Sequence, residues 1–190
     1  SPDGFPKKSS KFFNDAGAGS GDMLEFVTDD NSAFSWAPNR QFSTSTWIKF
    51  NNLDENQCIM SKWDSANDKR EWSIFFEGPE NGKQLALQLS DPTRTNYMQK
   101  RILVSEYPEI STSEWLHIVT TYDGTNDPSG INIYLNGKLC TEHVTLEENG
   151  TFTGMTSNNA HFAIGNIFDG GEEASGHRLR AELAEIAIWN

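Results

Sequence analysis

Residues 114–138, EWLHIVTTYDGTNDPSGINIYLNGK, decide the architecture of this chain. The first part, Trp115 to Tyr122, is dense in β-branched and aromatic residues, the types that fit a pleated, half-buried surface. A polar break runs from Asp123 to Gly130, and then Ile131-Asn132-Ile133-Tyr134-Leu135 alternates with period two. Side chains of a strand point alternately to its two faces, so Ile131, Ile133 and Leu135 share a buried face while Asn132 and Tyr134 share the other. The run ends at Asn136-Gly137, the dipeptide that most readily takes positive φ at both central positions of a type I′ turn, and the chain is expected to fold straight back through Lys138-Leu139-Cys140. Antiparallel hairpins are therefore the predicted unit of construction.

The same pattern extends in both directions. Toward the N-terminus, strands are expected over 23–27, 34–36, 41–50, 58–62, 72–77, 85–90 and 101–105, with a hairpin turn at Pro79-Glu80-Asn81-Gly82. Two polar loops interrupt them, 63–70 with Trp63 at its mouth and 91–100 carrying Tyr97. Toward the C-terminus, 141–159 is polar and poorly periodic, 160–165 reads as a strand, 166–177 as a long glycine-rich loop and 179–190 as the closing strand. No segment of ten or more residues carries a 3.6-residue period with caps, so the predicted class is all-β, a two-sheet antiparallel β-sandwich or jelly roll. Residues 1–20, rich in Gly, Ser, Lys and Pro, read as a linker or as an arm laid over a domain spanning 21–190.

At 190 residues the chain is long enough to bury a sizeable core without staples. Two cysteines, Cys58 and Cys140, are too few for a disulfide framework; two buried thiols are the favoured reading, and one bridge stays open. The formal net charge of −12, from 27 acidic against 15 basic residues, speaks against nucleic acid and anionic membrane surfaces as partners and is compatible with divalent cations. No apolar run approaches membrane-spanning length and no signal peptide is evident, so membrane insertion is not expected. The opening Ser1-Pro2-Asp3, without Met, suggests a processed product or an excised piece of a longer secreted or surface-exposed protein.

The central hairpin also carries a resemblance. Trp115-Leu116-His117-Ile118, followed by Tyr122-Asp123-Gly124 and Tyr134-Leu135-Asn136-Gly137-Lys138, resembles the laminin-G-like members of the concanavalin-A-like lectin/glucanase superfamily. Phe42-Ser43-Thr44-Ser45-Thr46-Trp47-Ile48-Lys49, Phe162-Ala163-Ile164-Gly165 and the closing 183–190 follow that family's order. The resemblance implies a concanavalin-A-like jelly roll over nearly the whole chain. It is weak for function, because the scaffold hosts sugar binders, protein binders, glycosidases and virion parts alike. Many such domains hold a structural Ca²⁺, and the matching positions here are Asp29, Asp30 and Glu185. Ca²⁺ takes six or more oxygen ligands. The family's aspartate pair is replaced here by Ala184-Glu185.

Glycosidases on this scaffold place paired carboxylates on one strand, Glu-x-Asp-x-x-Glu, so that alternate side chains reach one cleft as nucleophile and acid. No glutamate of this chain is followed two residues later by Asp or Glu, and Glu182 and Glu185 are three apart, on opposite faces of an unbulged strand. Gly-x-Ser-x-Gly, His-Glu-x-x-His and Cys-x-x-Cys are also missing, and the four histidines are scattered, His117 and His161 within expected strands. No catalytic set emerges and a non-enzymatic role is expected. Sugars are gripped by an aromatic ring under the pyranose C–H face with amides, carboxylates and guanidinium groups taking the hydroxyls. Trp63 with Asp64, Asn67 and Arg70, and Tyr97 with Arg94 and Asn96, fit that description. The competing reading is that each aromatic caps the end of the core. The leading expectation is a non-catalytic carbohydrate-binding module whose partner is a glycan. The rival is a structural or adsorption domain of a phage virion protein or bacterial adhesin that packs on other subunits, since Lys7-Lys8-Ser9-Ser10-Lys11-Phe12-Phe13 resembles the lead-in of such domains in phage structural proteins.

Overall fold

A computed structural model describes residues 10–12, 24–26 and 34–190, the first two segments as backbone. Its strands are β1 (Ser10–Phe12), β2 (Leu24–Phe26), β3 (Phe42–Phe50), β4 (Gln57–Asp64), β5 (Lys69–Glu77), β6 (Gln84–Ser90), β7 (Tyr97–Leu103) and β8 (Leu116–Tyr122). They continue as β9 (Ile131–Leu135), β10 (Lys138–Leu139), β11 (Val144–Asn149), β12 (Phe162–Ile164), β13 (Phe168–Asp169), β14 (Glu172–Glu173) and β15 (Ala181–Trp189). One sheet runs β1-β15-β3-β8-β9-β10; the other runs β11-β7-β6-β5-β4-β12-β2, with the small β13–β14 hairpin attached through β4. The antiparallel β-sandwich expected from the pattern is thus the observed class.

The hairpin that set this expectation forms with the anticipated register, Ile118 opposite Leu135 and Tyr122 opposite Ile131. Asn136 and Gly137 have φ of 49° and 80°, both positive as a type I′ turn requires. Strand β3 alternates buried and half-buried residues along its length. It lies between β15 and β8. Its inner face presents Phe42, Ile48 and Phe50 together with Thr44, whose hydroxyl pairs with that of Thr120 at 2.8 Å, so two polar groups enter the core already satisfied. The opposing sheet contributes Trp72, Ile74 and Phe76 from β5 and Leu85, Leu87 and Leu89 from β6, and the two inner faces meet in one cluster. Near it Lys62 and Glu71, both fully buried, pair at 3.5 Å, and Lys62 Nζ donates to the carbonyl oxygens of Ala160 at 2.9 Å and Asn158 at 3.2 Å. That pair fastens the segment before β12 onto β4 and β5.

Several local expectations are corrected. Ser10–Phe12, within the segment expected as a linker or an arm laid over the domain, is an edge strand paired to β15. Phe34 to Trp36 forms no strand; Phe34 stacks on Phe162 at 4.2 Å and Trp36 on Phe42 at 5.6 Å, so their rings serve the core without a ladder. The polar 141–159 region contains β11, which extends the larger sheet beyond β7. The expected loops shrink: β4 runs on through Trp63 to Asp64, β5 starts at Lys69, and Tyr97 opens β7. Finally, β15 carries a bulge between Ala184 and Ala187, with Glu185 at φ 51°, so the opposite-face argument for Glu182 and Glu185 fails at the position where it was applied. Both cysteines are free and buried. His117 is hydrogen-bonded as expected, Nε2 to Ser45 Oγ at 2.8 Å, whereas His161 stands just before β12, edge-on to Phe168.

Candidate functional site

The larger sheet has an outer face, set by the alternate residues of β5, β6 and β7. While Trp72, Ile74 and Phe76 face the core, Ser73, Phe75 and Glu77 take the other side; Gln88 does so between Leu87 and Leu89. A cavity of about 260 Å³ opens over this face, with Ser73, Phe75 and Gln88 on the sheet and Trp63, Arg70, Arg94 and His177 around it. Asn56, Ser65 and Glu77 add to the polar part of the lining.

The two aromatic-polar groups expected from sequence are neighbours in space. Arg70 Nη1 donates to the carbonyl of Pro92 at 2.8 Å and to Asp68 Oδ1 at 2.7 Å, and Nη2 donates to the carbonyl of Ser65, so one guanidinium ties the 65–68 turn to the 91–96 loop. Of the seven expected residues, Trp63, Arg70 and Arg94 line the cavity. Asp64 does not, since its carboxylate accepts from Asn67 Nδ2 at 2.8 Å and from the Gly170 amide at 2.7 Å. Asn67 is thereby a loop brace. Asn96 donates to Asp91 at 2.7 Å and accepts from the Thr151 amide at 3.0 Å, a second brace.

Neither expected ring stands free in solvent. Trp63 is 5% exposed, packs with Cys58, Ile167 and Ala174, and has the Arg70 guanidinium 5.7 Å above its ring. Tyr97 is half-buried, covered by Arg94 at 5.3 Å, and its hydroxyl donates to Glu147 at 2.6 Å. Each ring supports an arginine. The half-buried ring lining the cavity is Phe75, which sequence reading passed over because it adjoins Phe76 in an apolar run. Period-two alternation from Trp72 was the signal that separates them.

Glu147 of β11 organises the rim, accepting from Tyr97, from Gln99 at 2.9 Å and from Arg101 at 2.7 Å. Partial burial pushes its carboxyl up, but the Tyr97 and Gln99 hydrogen bonds and the two arginines outweigh that and hold it below the ordinary value. Arg101 also reaches Glu77 at 3.5 Å. Among the described lining residues Glu77 is the one carboxylate. His177, missed in the sequence because its loop is aperiodic, has its pKa lowered by burial and by the nearby Arg94, against the pull of Asp169. Its Nδ1 and Arg70 Nε are buried without hydrogen-bond partners.

Of the three expected calcium positions, Glu185 is the one among the described residues. Asp29 and Asp30 lie outside the described residues, and Glu185 is exposed on the β15 bulge. Among the described residues no group of three or more His, Cys, Asp or Glu is placed to hold a metal.

A laminin-G family model, described as concanavalin A-like lectin/glucanases superfamily, matches residues 17–190. No curated protein matches the chain in sequence. Among the solved structures that share the fold are the following three. NanB with optactamide aligns at TM-score 0.62 and 15% identity over 96% of this chain and 25% of that one. The binding domain of botulinum neurotoxin serotype D/C aligns at 0.58 and 15% over 91% and 38%. A carbohydrate binding protein from Bacteroides ovatus, so described on a provisional basis, aligns at 0.56 and 17% over 95% and 42%. The chain spans less than half the length of each.

Proposed function

Because the chain belongs to the concanavalin A-like lectin/glucanases superfamily, we propose that it is a non-catalytic carbohydrate-binding module of a larger secreted or surface protein. The observation that carries this reading is the cavity on the outer face of the larger sheet, whose lining brings the Phe75 ring together with Asn56, Ser73, Gln88 and two arginines. An apolar ring surrounded by amides, a hydroxyl and guanidinium groups matches the alternating C–H faces and hydroxyl edges of a sugar. Glycoside hydrolysis needs two carboxyl groups about 5–9.5 Å apart. Glu77, the carboxylate of the described lining, is engaged by Arg101, which supports binding without bond cleavage. The description of the Bacteroides ovatus protein supports the same direction.

Glycan-array binding by the parent chain and by two variants tests this. Phe75→Ala should abolish retention at a stability cost of about 1 kcal/mol, since the ring is only half-buried. Trp63→Ala should cost roughly 3–5 kcal/mol as a buried aromatic truncation. Retention unchanged in Phe75→Ala removes the site, and release of reducing ends from a polysaccharide panel by the purified chain removes the non-catalytic assignment.

An assembly role in a virion or adhesin is favoured by a different face. On the outer side of the smaller sheet Trp189 is 49% exposed, in register with Ser43 and Thr121, and half-buried Trp47, Trp115 and Tyr134 lie on the same side. Self-association that is lost in Trp189→Ser, with no glycan binding by the parent, makes this the better account.

A further inference from the structure

The proposed cavity has a charge arrangement that narrows its ligand. On a chain with 27 acidic and 15 basic residues, a guanidinium without a direct ion-pair partner is conspicuous. The other arginines around the outer face are engaged: Arg70 with Asp68, Arg101 with Glu77 and Glu147. Arg94 is exposed, and among the described residues it has no carboxylate within 4.0 Å; it lies over the Tyr97 ring at the margin of the cavity. Its position is not accidental looseness. Asp91 accepts from the Thr95 amide at 3.0 Å, the Asn96 amide at 3.1 Å and Asn96 Nδ2 at 2.7 Å, and Arg70 holds Pro92, so the loop presenting Arg94 is fastened from both sides.

Two further polar atoms lack partners at the same place. Arg70 Nε, a donor, and His177 Nδ1 are both buried and unpaired, in residues that line the cavity with Arg94. Unpaired buried polar groups in a native protein call for an explanation, and a ligand or the waters it displaces supplies one. The carboxylate of the lining, Glu77, is engaged by Arg101 and not by Arg94, which acts on Glu147 only at longer range than an ion pair. A guanidinium is a planar fork of donors matched to a carboxylate, and here its carbon lies 5.3 Å from the centre of the Tyr97 ring.

We propose that the cavity binds an acidic saccharide, with Arg94 taking the sugar's carboxylate while Phe75 lies against the ring. This inference rests on the carbohydrate-binding reading and specifies its ligand class. An overall negative protein repels acidic glycans at long range, so a preference for them must come from local contacts.

The test is isothermal titration of the full chain with galacturonic acid oligosaccharides and their methyl esters, and with sialyllactose and lactose, beside an array of neutral glycans. At least one acid form should bind roughly tenfold or more tightly than its neutral counterpart, the size expected of a charge-assisted hydrogen bond. Arg94→Gln should erase that difference by bringing the acid form down to the affinity of its neutral counterpart in the same variant, and should keep the melting temperature, because the Arg94 side chain is exposed. Equal binding of acid and neutral forms, or binding confined to neutral glycans, overturns the acidic-ligand inference and leaves the carbohydrate reading standing. An acid preference that survives in Arg94→Gln overturns the assignment to Arg94. Absence of binding to every saccharide overturns the carbohydrate reading and this inference with it.

Discussion

His177 shows how one side chain links the site to stability. Burial and Arg94 lower its pKa below the ordinary imidazole value of about 6.5. The unfolded chain therefore takes up the proton first as pH falls, and stability declines from about 6.5 down to the folded-state pKa, below which both states are protonated and the slope ends. Above about 6.5 neither state is protonated and this contribution is constant. Melting temperature against pH should fall less steeply in that window for His177→Asn than for the parent; parallel curves would show that the imidazole is not held neutral. Phe75 and Trp63 teach a related lesson. Both are aromatic residues of the cavity, yet the buried one anchors Arg70 while the half-buried one offers its ring. Residue type alone suggested the reverse for Trp63, because a tryptophan beside Asp, Asn and Arg looks like a sugar platform until its own packing is known.

At the scale of elements, the 91–96 loop is built on one carboxylate. Asp91 receives two backbone amides and the Asn96 side chain, and although partial burial pushes its pKa up, these hydrogen bonds bring it below the ordinary value. Asp91→Ala should cost about 1 kcal/mol, as loss of a side-chain cap does. It should weaken saccharide binding more than it weakens the fold, because Arg94 would lose its support; binding at full strength in Asp91→Ala would show that the loop does not position Arg94. The calcium proposal rests on other residues, Asp29 and Asp30 outside the described segments and Glu185 on the bulge of β15. If Asp29, Asp30 and Glu185 are ligands, a chelator should lower the melting temperature and Ca²⁺ restore it, since an ion that binds only the native state stabilises by mass action. Identical melting with and without chelator removes that site. The β9–β10 hairpin was legible beforehand because Asn136-Gly137 carries its own geometry. The β11 strand was not, since Val144–Asn149 runs mostly half-buried and exposed at a sheet edge and needs no apolar alternation.

Across the whole molecule the two thiols report on cooperativity. Cys58 sits on the outer side of the larger sheet beside Trp63, and Cys140 sits in the core between the sheets. Burial pushes the Cys58 thiol up to about 12 and the Cys140 thiol up to about 11. Neither should react with a thiol reagent at pH 8 in the native state, and both should react together on unfolding. Rapid labelling of either without unfolding would contradict this packing, while reducing agents should leave the melting curve unchanged because both cysteines are free. The sequence by itself determined the class of fold, since period-two alternation, turn dipeptides and missing helical periodicity are local properties that survive in any context. It also singled out Trp63, Arg70 and Arg94, three residues that line the cavity. Only the tertiary structure decided that Arg70 and Arg94, 24 positions apart, serve one cavity. It decided too that Asp64, Asn67 and Asn96 spend their polar groups inside the loops, and that Phe75 and His177 join the site. The reason is physical. A cavity on a sheet is lined by residues that neighbour one another across strands, and their register is set by bulges such as the one between Cys58 and Met60, which depends on how two sheets pack rather than on any one segment.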